Sequence, residues 1–187
     1  MVTFNHAALF IGAPGADGTP LEIAEASVSF FAHRMPTFFC YSLFTHQGKD
    51  AENTTGGDLW EFDHLLKRKG VRTMAVTAAT DHDHRNCALA WIRAMEPEVN
   101  RLWIVDTDEF YGDEDFRALE SIVDTDAWSA WFISRIAYWK GLNWRIDPVE
   151  PVNTLLAINP KKIPCFYYSR IPHFQPDVTY GVINGIF

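Results

Sequence analysis

The sequence is poor in the features that mark secreted and membrane-embedded proteins. It has three cysteines in 187 residues, Cys40, Cys87 and Cys165, and no CxxC pair. An odd number of widely spaced cysteines is typical of reduced thiols rather than of a disulfide framework. No apolar run approaches the ~20 residues that a membrane-spanning helix needs, and the first residues lack the basic region of a signal peptide. These absences predict a soluble, cytoplasmic protein.

Basic residues are also scarce. The chain has 16 lysines and arginines against 24 acidic residues, which gives a net charge of −8. Because broad binding to nucleic acid depends on Lys and Arg meeting phosphates, the composition argues against an extended nucleic-acid-binding surface. Binding of a small anionic ligand would instead need a metal ion or a few well-placed arginines. Hydrophobic residues make up 48% of the chain, which is ample for the core of one domain over residues 1–187.

The first part of the chain alternates predicted strands with predicted helices. Strands are expected at 6–13, 37–46, 71–77 and 101–106, and helices at 21–33, 58–70, 84–95 and 116–124. Pro20 is placed to open the first helix, Asp58 to cap the second and Gly70 to end it. Such alternation is typical of an α/β fold with a mostly parallel sheet flanked by helices.

The second part is β-rich and aromatic. Residues 127–146 contain four tryptophans and are predicted to form two strands around the turn "KGLN". Further strands are expected at 151–159 and 163–171. Trp128 and Trp131 are expected in the core, whereas Trp139 and Trp144 flank the turn, so one of these two is a candidate for lining a cleft.

The segment "RLWIVDTDEF" joins a buried strand to an acidic motif. Its apolar run ends at once in Asp106, Asp108 and Glu109. Ligands of parallel α/β sheets bind beyond the carboxyl ends of the strands. In an extended segment Asp106 and Asp108 would face the same way and offer oxygen ligands to Mg²⁺ or Mn²⁺, which in turn bridges nucleotide phosphates. The alternative is a strand that simply ends in a solvated polar loop.

The polar run "TDHDHRN" follows the third predicted strand. His82 and His84 alternate with Asp81 and Asp83, which suits a metal site. The alternative is a solvated loop in which one of the aspartates caps the next helix. Arg85 lies near the start of that helix, where the helix dipole disfavours a cation. This placement predicts a partner for Arg85, either an acid or a phosphate.

The stretch "HRNCALAWIRAMEPEVNRLWIVDTDEF" resembles glycosyltransferases of the GT-A fold, and most of all those of family 2. The resemblance rests on Arg85–Asn86 at a helix start, on Ala-rich helical turns, and on a hydrophobic strand that ends in DxD followed by an acid. The order of the preceding elements agrees, so the resemblance covers roughly residues 6–124. It implies one GT-A-like domain, with residues 1–110 as the nucleotide-sugar-binding half and 111–187 as the acceptor side.

The resemblance also implies an activity and a set of roles. The protein would be a metal-dependent glycosyltransferase of the hexosyltransferase kind, with a nucleotide-sugar donor, an unidentified acceptor and Mn²⁺ or Mg²⁺. Asp106 would contact the ribose or sugar of the donor, and Asp106, Asp108 and His173 would form the metal site. Asp81 and Arg85 lie at positions that recognise the nucleotide in this family. The metal would offset charge on the leaving diphosphate.

The catalytic base is where the sequence departs from the family pattern. An inverting transferase needs a carboxylate to deprotonate the acceptor hydroxyl. The family places this base well after the DxD motif, in an acidic pair that this chain lacks, and the "EDF" of residues 114–116 is too close to the motif. Asp147 and Glu150, in "RIDPVEP", are therefore the candidate bases.

Two other functions remain open at this point. Phosphohydrolases of the haloacid dehalogenase type also place DxD after a buried strand, but near the N-terminus, whereas here the motif comes after residue 100 and continues Glu-Phe. The third hypothesis is a sugar-nucleotide-binding module without catalytic activity. It predicts donor binding without transfer, whereas the phosphohydrolase predicts release of phosphate from simple esters.

Overall fold

The computed structural model describes residues 5–12, 20–42, 56–77, 80–125, 128–134, 153–168, 171–172 and 179–183. The strands within these ranges are β1 (His6–Gly12), β2 (Thr37–Ser42), β3 (Arg72–Val76), β4 (Arg101–Val105), β5 (Ala130–Ser134), β6 (Asn153–Ile158), β7 (Phe166–Tyr168), β8 (Ile171–Pro172) and β9 (Tyr180–Ile183). The helices are α1 (Leu21–Ala32), α2 (Gly56–Arg68), α3 (Asp81–Met95) and α4 (Asp113–Val123). Among the described helices, none is both long enough and apolar enough to cross a membrane.

Seven of the described strands form one sheet in the order β3-β2-β1-β4-β6-β5-β9. Strands β1 to β4 run parallel to one another, whereas β6 lies antiparallel between β4 and β5. Strand β9 is parallel to β5 at the far edge, and β7 pairs with β8 in a separate antiparallel ribbon. The predicted α/β fold with a mostly parallel sheet flanked by helices is confirmed.

The two central strands, β1 and β4, are buried on both faces. Trp103 and Val105 of β4 pack on one side, in the core cluster that contains residues of α1, α2 and α4. Leu102 and Ile104 pack on the other side, against residues of α3. A strand covered on both faces has no polar side to alternate with, which explains the uninterrupted apolar run before the acidic motif.

The C-terminus of α2 matches its predicted stop signal. Gly70 has a φ of 78°, a left-handed conformation that glycine adopts without steric cost. The backbone N–H of Gly70 donates to Lys67 O at 3.0 Å, and that of Val71 donates to Leu66 O at 3.1 Å. This is the Schellman pattern of helix termination, and the buried Leu66 and Val71 supply its hydrophobic contact.

Three predicted helix starts differ from the structure. Helix α2 begins at Gly56, so Asp58 lies inside it and is not its cap. Helix α3 begins at Asp81 rather than 84, because Thr80 is its N-cap and the Thr80 hydroxyl accepts the Asp83 N–H at 3.2 Å. Helix α4 begins at Asp113 rather than 116. Its acidic first turn breaks the apolar spacing on which the prediction relied but suits the helix dipole.

The β-rich second part is confirmed in outline. The strand expected at 163–171 is instead two short strands, β7 and β8, and β9 was not predicted. Trp131 is fully buried, as expected, whereas Trp128 is half-buried. Trp139, Trp144 and the expected turn "KGLN" lie outside the described residues.

Gly181 in β9 lies against the ring of Trp128. A Cβ added at Gly181 would come within 2.2 Å of that ring, so we expect Gly181→Ala to lower the free energy of unfolding by about 2–3 kcal/mol through overpacking. Urea unfolding followed by circular dichroism measures this. Gly112→Ala is the control, since its Cβ would meet only the end of the Asp115 side chain at 3.0 Å. Equal effects of the two substitutions would contradict the prediction.

Cys40 is a core residue of β2, where burial favours the neutral thiol over the thiolate. Burial, with a smaller contribution from nearby Cys87, raises the pKa of Cys40 from 9.0 to about 12. The pKa of Cys40 is higher in the folded than in the unfolded state, so protonation of this thiol adds to the free energy of unfolding. This contribution is complete below pH 9 and is lost as the pH rises towards 12. Between about pH 8 and pH 10.5 the wild type should lose about 2 kcal/mol of unfolding free energy more than Cys40→Ala. Equal losses in the two proteins would show that the Cys40 thiol does not resist ionisation.

Candidate functional site

The carboxyl ends of the first four strands meet at one edge of the sheet because these strands are parallel. From β1 the chain adds β2 and then β3 on one side, and then returns to place β4 on the other side of β1. The direction of winding therefore reverses between β1 and β4. A reversal of this kind opens a crevice beyond the strand ends, where ligands of α/β sheets bind. The acidic motif follows β4 directly into this region.

Residues Asp106 to Glu109 form a turn, here named the acidic turn. The Glu109 backbone N–H donates to Asp106 O at 3.1 Å, and the Glu109 carboxylate accepts the Asp106 N–H at 3.3 Å. The segment is therefore a turn and not the extended stretch from which Asp106 and Asp108 were expected to face the same way. The Glu109 side chain folds back and adds a second hydrogen bond across this turn.

The acidic turn is attached to helix α1 and to the aromatic core. The buried Ser27 hydroxyl of α1 donates to the Glu109 carbonyl at 2.6 Å. The Tyr111 hydroxyl donates to the Glu109 carboxylate at 3.3 Å, and the Tyr111 ring packs edge-on to Phe31 at 5.7 Å. These contacts fix the backbone that carries Asp106 and Asp108.

Arg85 lies beneath the acidic turn and connects it to the start of α3. Its guanidinium lies 3.2 Å from Asp81 Oδ2 and 3.9 Å from Asp106 Oδ1, and Arg85 is only 5% exposed. The expectation of a partner for Arg85 is thus confirmed, and the partner is an acid. A buried cation near a helix N-terminus is tolerated here because two carboxylates face it. The trio keeps one net negative charge, to which Asp108 adds another.

The two carboxylates of the DxD motif differ in their surroundings. The Asp106 side chain is 33% exposed and faces Arg85. Asp108 is exposed and makes no hydrogen bond or ion pair with other described residues. Carboxylate oxygens are the donors that Mg²⁺ and Mn²⁺ prefer, and Mg²⁺ commonly takes only one or two of them from a protein. The two carboxylates offer oxygen ligands of the kind that a hard divalent cation takes, and the described residues bring no third His, Cys, Asp or Glu side chain to them in a metal-binding arrangement.

The polar run at the start of α3 is explained as a helix cap. Within the described ranges, no group of three or more His, Cys, Asp or Glu side chains is arranged to hold a metal ion. His84 is buried, and His82 contacts the Thr80 hydroxyl at 3.0 Å. The cap is Thr80 rather than Asp81 or Asp83. The metal interpretation of this run receives no support from the described residues.

Asn86, part of the Arg-Asn pair, holds the β7–β8 ribbon against α3. Its side-chain amide donates to Phe166 O at 3.0 Å, and its carbonyl oxygen accepts the Phe166 N–H at 2.7 Å. Phe166 in turn pairs with Pro172 of β8. Asn86 therefore has a structural role that spans 80 residues of sequence.

The sequence-based site residues fall into two groups. Asp81, Arg85, Asp106 and Asp108 lie in the described part of the chain, where Arg85 joins Asp81 to the acidic turn. Asp147, Glu150 and His173 lie outside the described residues, and their roles stay predictions. Ser27 and Tyr111 were missed, because neither carries a local pattern that points to Glu109.

Comparison with known proteins shows a likeness in structure only. No family model and no curated protein matches the sequence. The crystal structure of a 4-diphosphocytidyl-2C-methyl-D-erythritol synthase matches with a TM-score of 0.54 and 9% identity, over 88% of this chain and 79% of that one. The corresponding synthase from Anaerococcus prevotii DSM 20548 matches with a TM-score of 0.49 and 10% identity, over 86% and 72% of the two chains. Residues 1–349 of S. aureus TarS match with a TM-score of 0.44 and 13% identity, over 76% and 38%.

At such low identity the first of these matches establishes the fold and leaves the activity to be argued from the site. It agrees with the fold class expected from the sequence. The chain therefore has a GT-A-like fold.

Proposed function

We propose that this protein is a metal-dependent glycosyltransferase that moves a sugar from a nucleotide-sugar donor to an acceptor. The observation that carries the proposal is the acidic turn: Asp106 and Asp108 follow the carboxyl end of β4, beside the point where the winding of the sheet reverses. An exposed carboxylate on an anchored backbone is suited to a metal-bound diphosphate. Residues 1–110 would bind the donor and residues 111–187 the acceptor.

Asp106 and Asp108 would hold the divalent metal, with His173 as the third protein ligand. When bound, Mn²⁺ or Mg²⁺ would neutralise the negative charge that builds on the leaving diphosphate. His173 lies outside the described residues, and its place among the ligands follows from the resemblance of the sequence to family 2 glycosyltransferases.

Arg85 and Asp81 would shape the nucleotide side of the site. The buried Arg85 guanidinium faces Asp81 and Asp106 together, so it fixes the two carboxylates relative to each other before any ligand binds. Groups held in place in advance cost no reorganisation when charge develops. We assign Asp81 and Arg85 to the nucleotide and Asp106 to the ribose or sugar of the donor.

Asp147 and Glu150 are the proposed catalytic bases of an inverting transfer. One of these carboxylates would take the proton from the acceptor hydroxyl while the hydroxyl oxygen forms its bond to the anomeric carbon and the diphosphate leaves. Both residues belong to the acceptor-side half, which agrees with this role.

Thermal unfolding with a panel of nucleotides tests the donor and the metal together. UDP, GDP, CDP and their glucose or mannose derivatives are added with and without Mn²⁺ to the wild type, Asp108→Ala and Glu114→Ala. A nucleotide at about 100 times its Kd should stabilise the protein by about 2.7 kcal/mol, or roughly 5–10 °C in Tm for a chain of this size. We expect this shift only with Mn²⁺, and not in Asp108→Ala.

Glu114→Ala is the matched control, because Glu114 is also exposed but lies on α4 outside the acidic turn. It should respond like the wild type. If no nucleotide changes the Tm with or without Mn²⁺, the transferase proposal is wrong. Binding without sugar transfer to any of a range of acceptors would favour the non-catalytic module, and hydrolysis of p-nitrophenyl phosphate would favour the phosphohydrolase.

A further inference from the structure

Phe110 directly follows the acidic turn and exposes a large apolar ring. The residue is 57% exposed, although it lies next to the central, fully buried strand in sequence. Other exposed aromatic side chains are present among the described residues, such as Trp60 and Tyr167. Single exposed apolar side chains are common on proteins, so the position of Phe110 matters more than its exposure.

The exposed ring is carried by a segment that is fixed on both sides. Glu109 is held by the Ser27 hydroxyl and by its own contact to the Asp106 N–H. Tyr111 packs edge-on to Phe31 and donates to Glu109. Phe110 therefore presents its ring beside the acidic turn from an anchored backbone, which is the arrangement that a binding surface needs.

The charges around Phe110 select the kind of ligand that suits it. Residues 106–115 contain six acidic side chains and no Lys or Arg, and two of these acids face an arginine among the described residues, Asp106 with Arg85 and Asp113 with Arg34. An anionic group would be repelled from this stretch unless a cation accompanied it. Phe110 and Tyr111 are the only apolar side chains between residues 106 and 115. A neutral, hydroxyl-rich ligand with one apolar face suits a single exposed ring among carboxylates.

We propose that Phe110 is the stacking surface for a sugar ring at this site, an assignment that rests on the proposed function. A pyranose has a C–H face that packs on an aromatic ring and a hydroxyl edge that donates to carboxylates such as Asp106. The sugar has two sources in a glycosyl transfer, the donor and a carbohydrate acceptor. Both present the same ring chemistry to Phe110.

Saturation-transfer NMR with simple glycosides tests the stacking surface without any nucleotide. The probes are the methyl α- and β-glycosides of glucose, galactose, mannose and N-acetylglucosamine. We expect at least one of them to bind the wild type, Phe110→Ala to weaken that binding at least tenfold, and Phe110→Tyr to retain it. Trp60→Ala, which removes an exposed ring from α2, should bind like the wild type.

A second arm separates the two sources of the sugar. If Phe110 holds the sugar of the donor, Phe110→Ala weakens the binding of a nucleotide sugar with Mn²⁺ but leaves the nucleoside diphosphate unchanged. If Phe110 holds the acceptor sugar, Phe110→Ala binds the nucleotide sugar and the nucleoside diphosphate as the wild type does. Only its binding of the methyl glycosides is then weakened. The proposal is overturned if Phe110→Ala binds every glycoside and nucleotide sugar as the wild type does, or if no probe binds through its sugar. Failure of the transferase proposal is seen separately, as the lack of any nucleotide response.

Discussion

Replacing Arg101 with methionine should lower the free energy of unfolding by about 3–5 kcal/mol. Arg101 is the first residue of β4 and is only 1% exposed. Its Nε donates to Val123 O at 2.7 Å, and one terminal nitrogen donates to Thr125 O at 3.1 Å. Its guanidinium carbon also lies 4.9 Å from the ring centre of Trp131.

The expected size of this effect follows from what the substitution leaves behind. Methionine fills much of the volume but donates no hydrogen bond, so the Val123 carbonyl loses a buried partner at about 1–3 kcal/mol, and the partly buried bond to the Thr125 carbonyl is lost at a smaller cost. The favourable interaction of the cation with the negative end of the helix and with the Trp131 ring is lost as well. The free energy of unfolding of Arg101→Lys should lie between those of the wild type and Arg101→Met, because one ammonium group does not reproduce the planar fork of donors.

Urea unfolding of the wild type, Arg101→Met and Arg117→Met measures the difference. Arg117 is exposed on α4, so its replacement should change the unfolding free energy by less than about 0.5 kcal/mol. A similar small change in Arg101→Met would mean that the arginine does not fasten α4 to the start of β4.

Replacing Arg85 with methionine is expected to have two effects, on stability and on ligand binding. The guanidinium is almost fully buried, whereas the side chains of Asp81 and Asp106 are 19% and 33% exposed. A fully buried pair would cost about 3–5 kcal/mol to break and an exposed pair about 0–1. Because this case lies between the two, we expect Arg85→Met to lower the free energy of unfolding by about 2–3 kcal/mol. Without the cation the two carboxylates repel each other, Asp106 shifts, and the Mn²⁺-dependent nucleotide response disappears.

A double-mutant cycle with Asp106→Asn tests whether Arg85 acts through Asp106. The loss of unfolding free energy caused by Arg85→Met should be about 1 kcal/mol smaller in Asp106→Asn than in the wild type, since the repulsion between Asp81 and Asp106 is then absent. Arg72→Met is the control for loss of an exposed ion pair, that of Arg72 with Glu96, and should cost about 1 kcal/mol or less. Additive effects of Arg85→Met and Asp106→Asn would show that the two residues do not interact.

The elements that pack by local pattern were predicted well, and those that depend on distant partners were not. Strands β1 and β4 contain apolar runs, which predict burial on both faces of the sheet. Strand β9 is short and contains Gly181, whose lack of a Cβ makes room for the Trp128 ring, a contact between residues far apart in sequence. The insertion of β6 between β4 and β5 joins segments far apart in sequence, so no window of residues predicts it.

The candidate site divides in the same way. Strand-end reasoning placed Asp81, Arg85 and the acidic motif at one edge of the sheet, because parallel strands end together. The turn itself was not predicted, since it depends on the Glu109 side chain folding back on Asp106. Ser27 lies 82 residues from Glu109, and a serine within a helix carries no local sign that it supports a distant loop.

The position of β6 in the sheet has a consequence for biosynthesis. On the ribosome, β1 to β4 can assemble as soon as they emerge, but one edge of β4 pairs only with β6, which ends at Ile158. Strand β5 is synthesised earlier and pairs with β6 and β9 rather than with β4. Until β6 arrives, a nascent chain exposes the unpaired edge of a strand that is apolar from Leu102 to Val105, the kind of surface on which partly folded chains associate. Rapid synthesis through residue 158, or a chaperone that covers β4, would then protect the yield of folded protein.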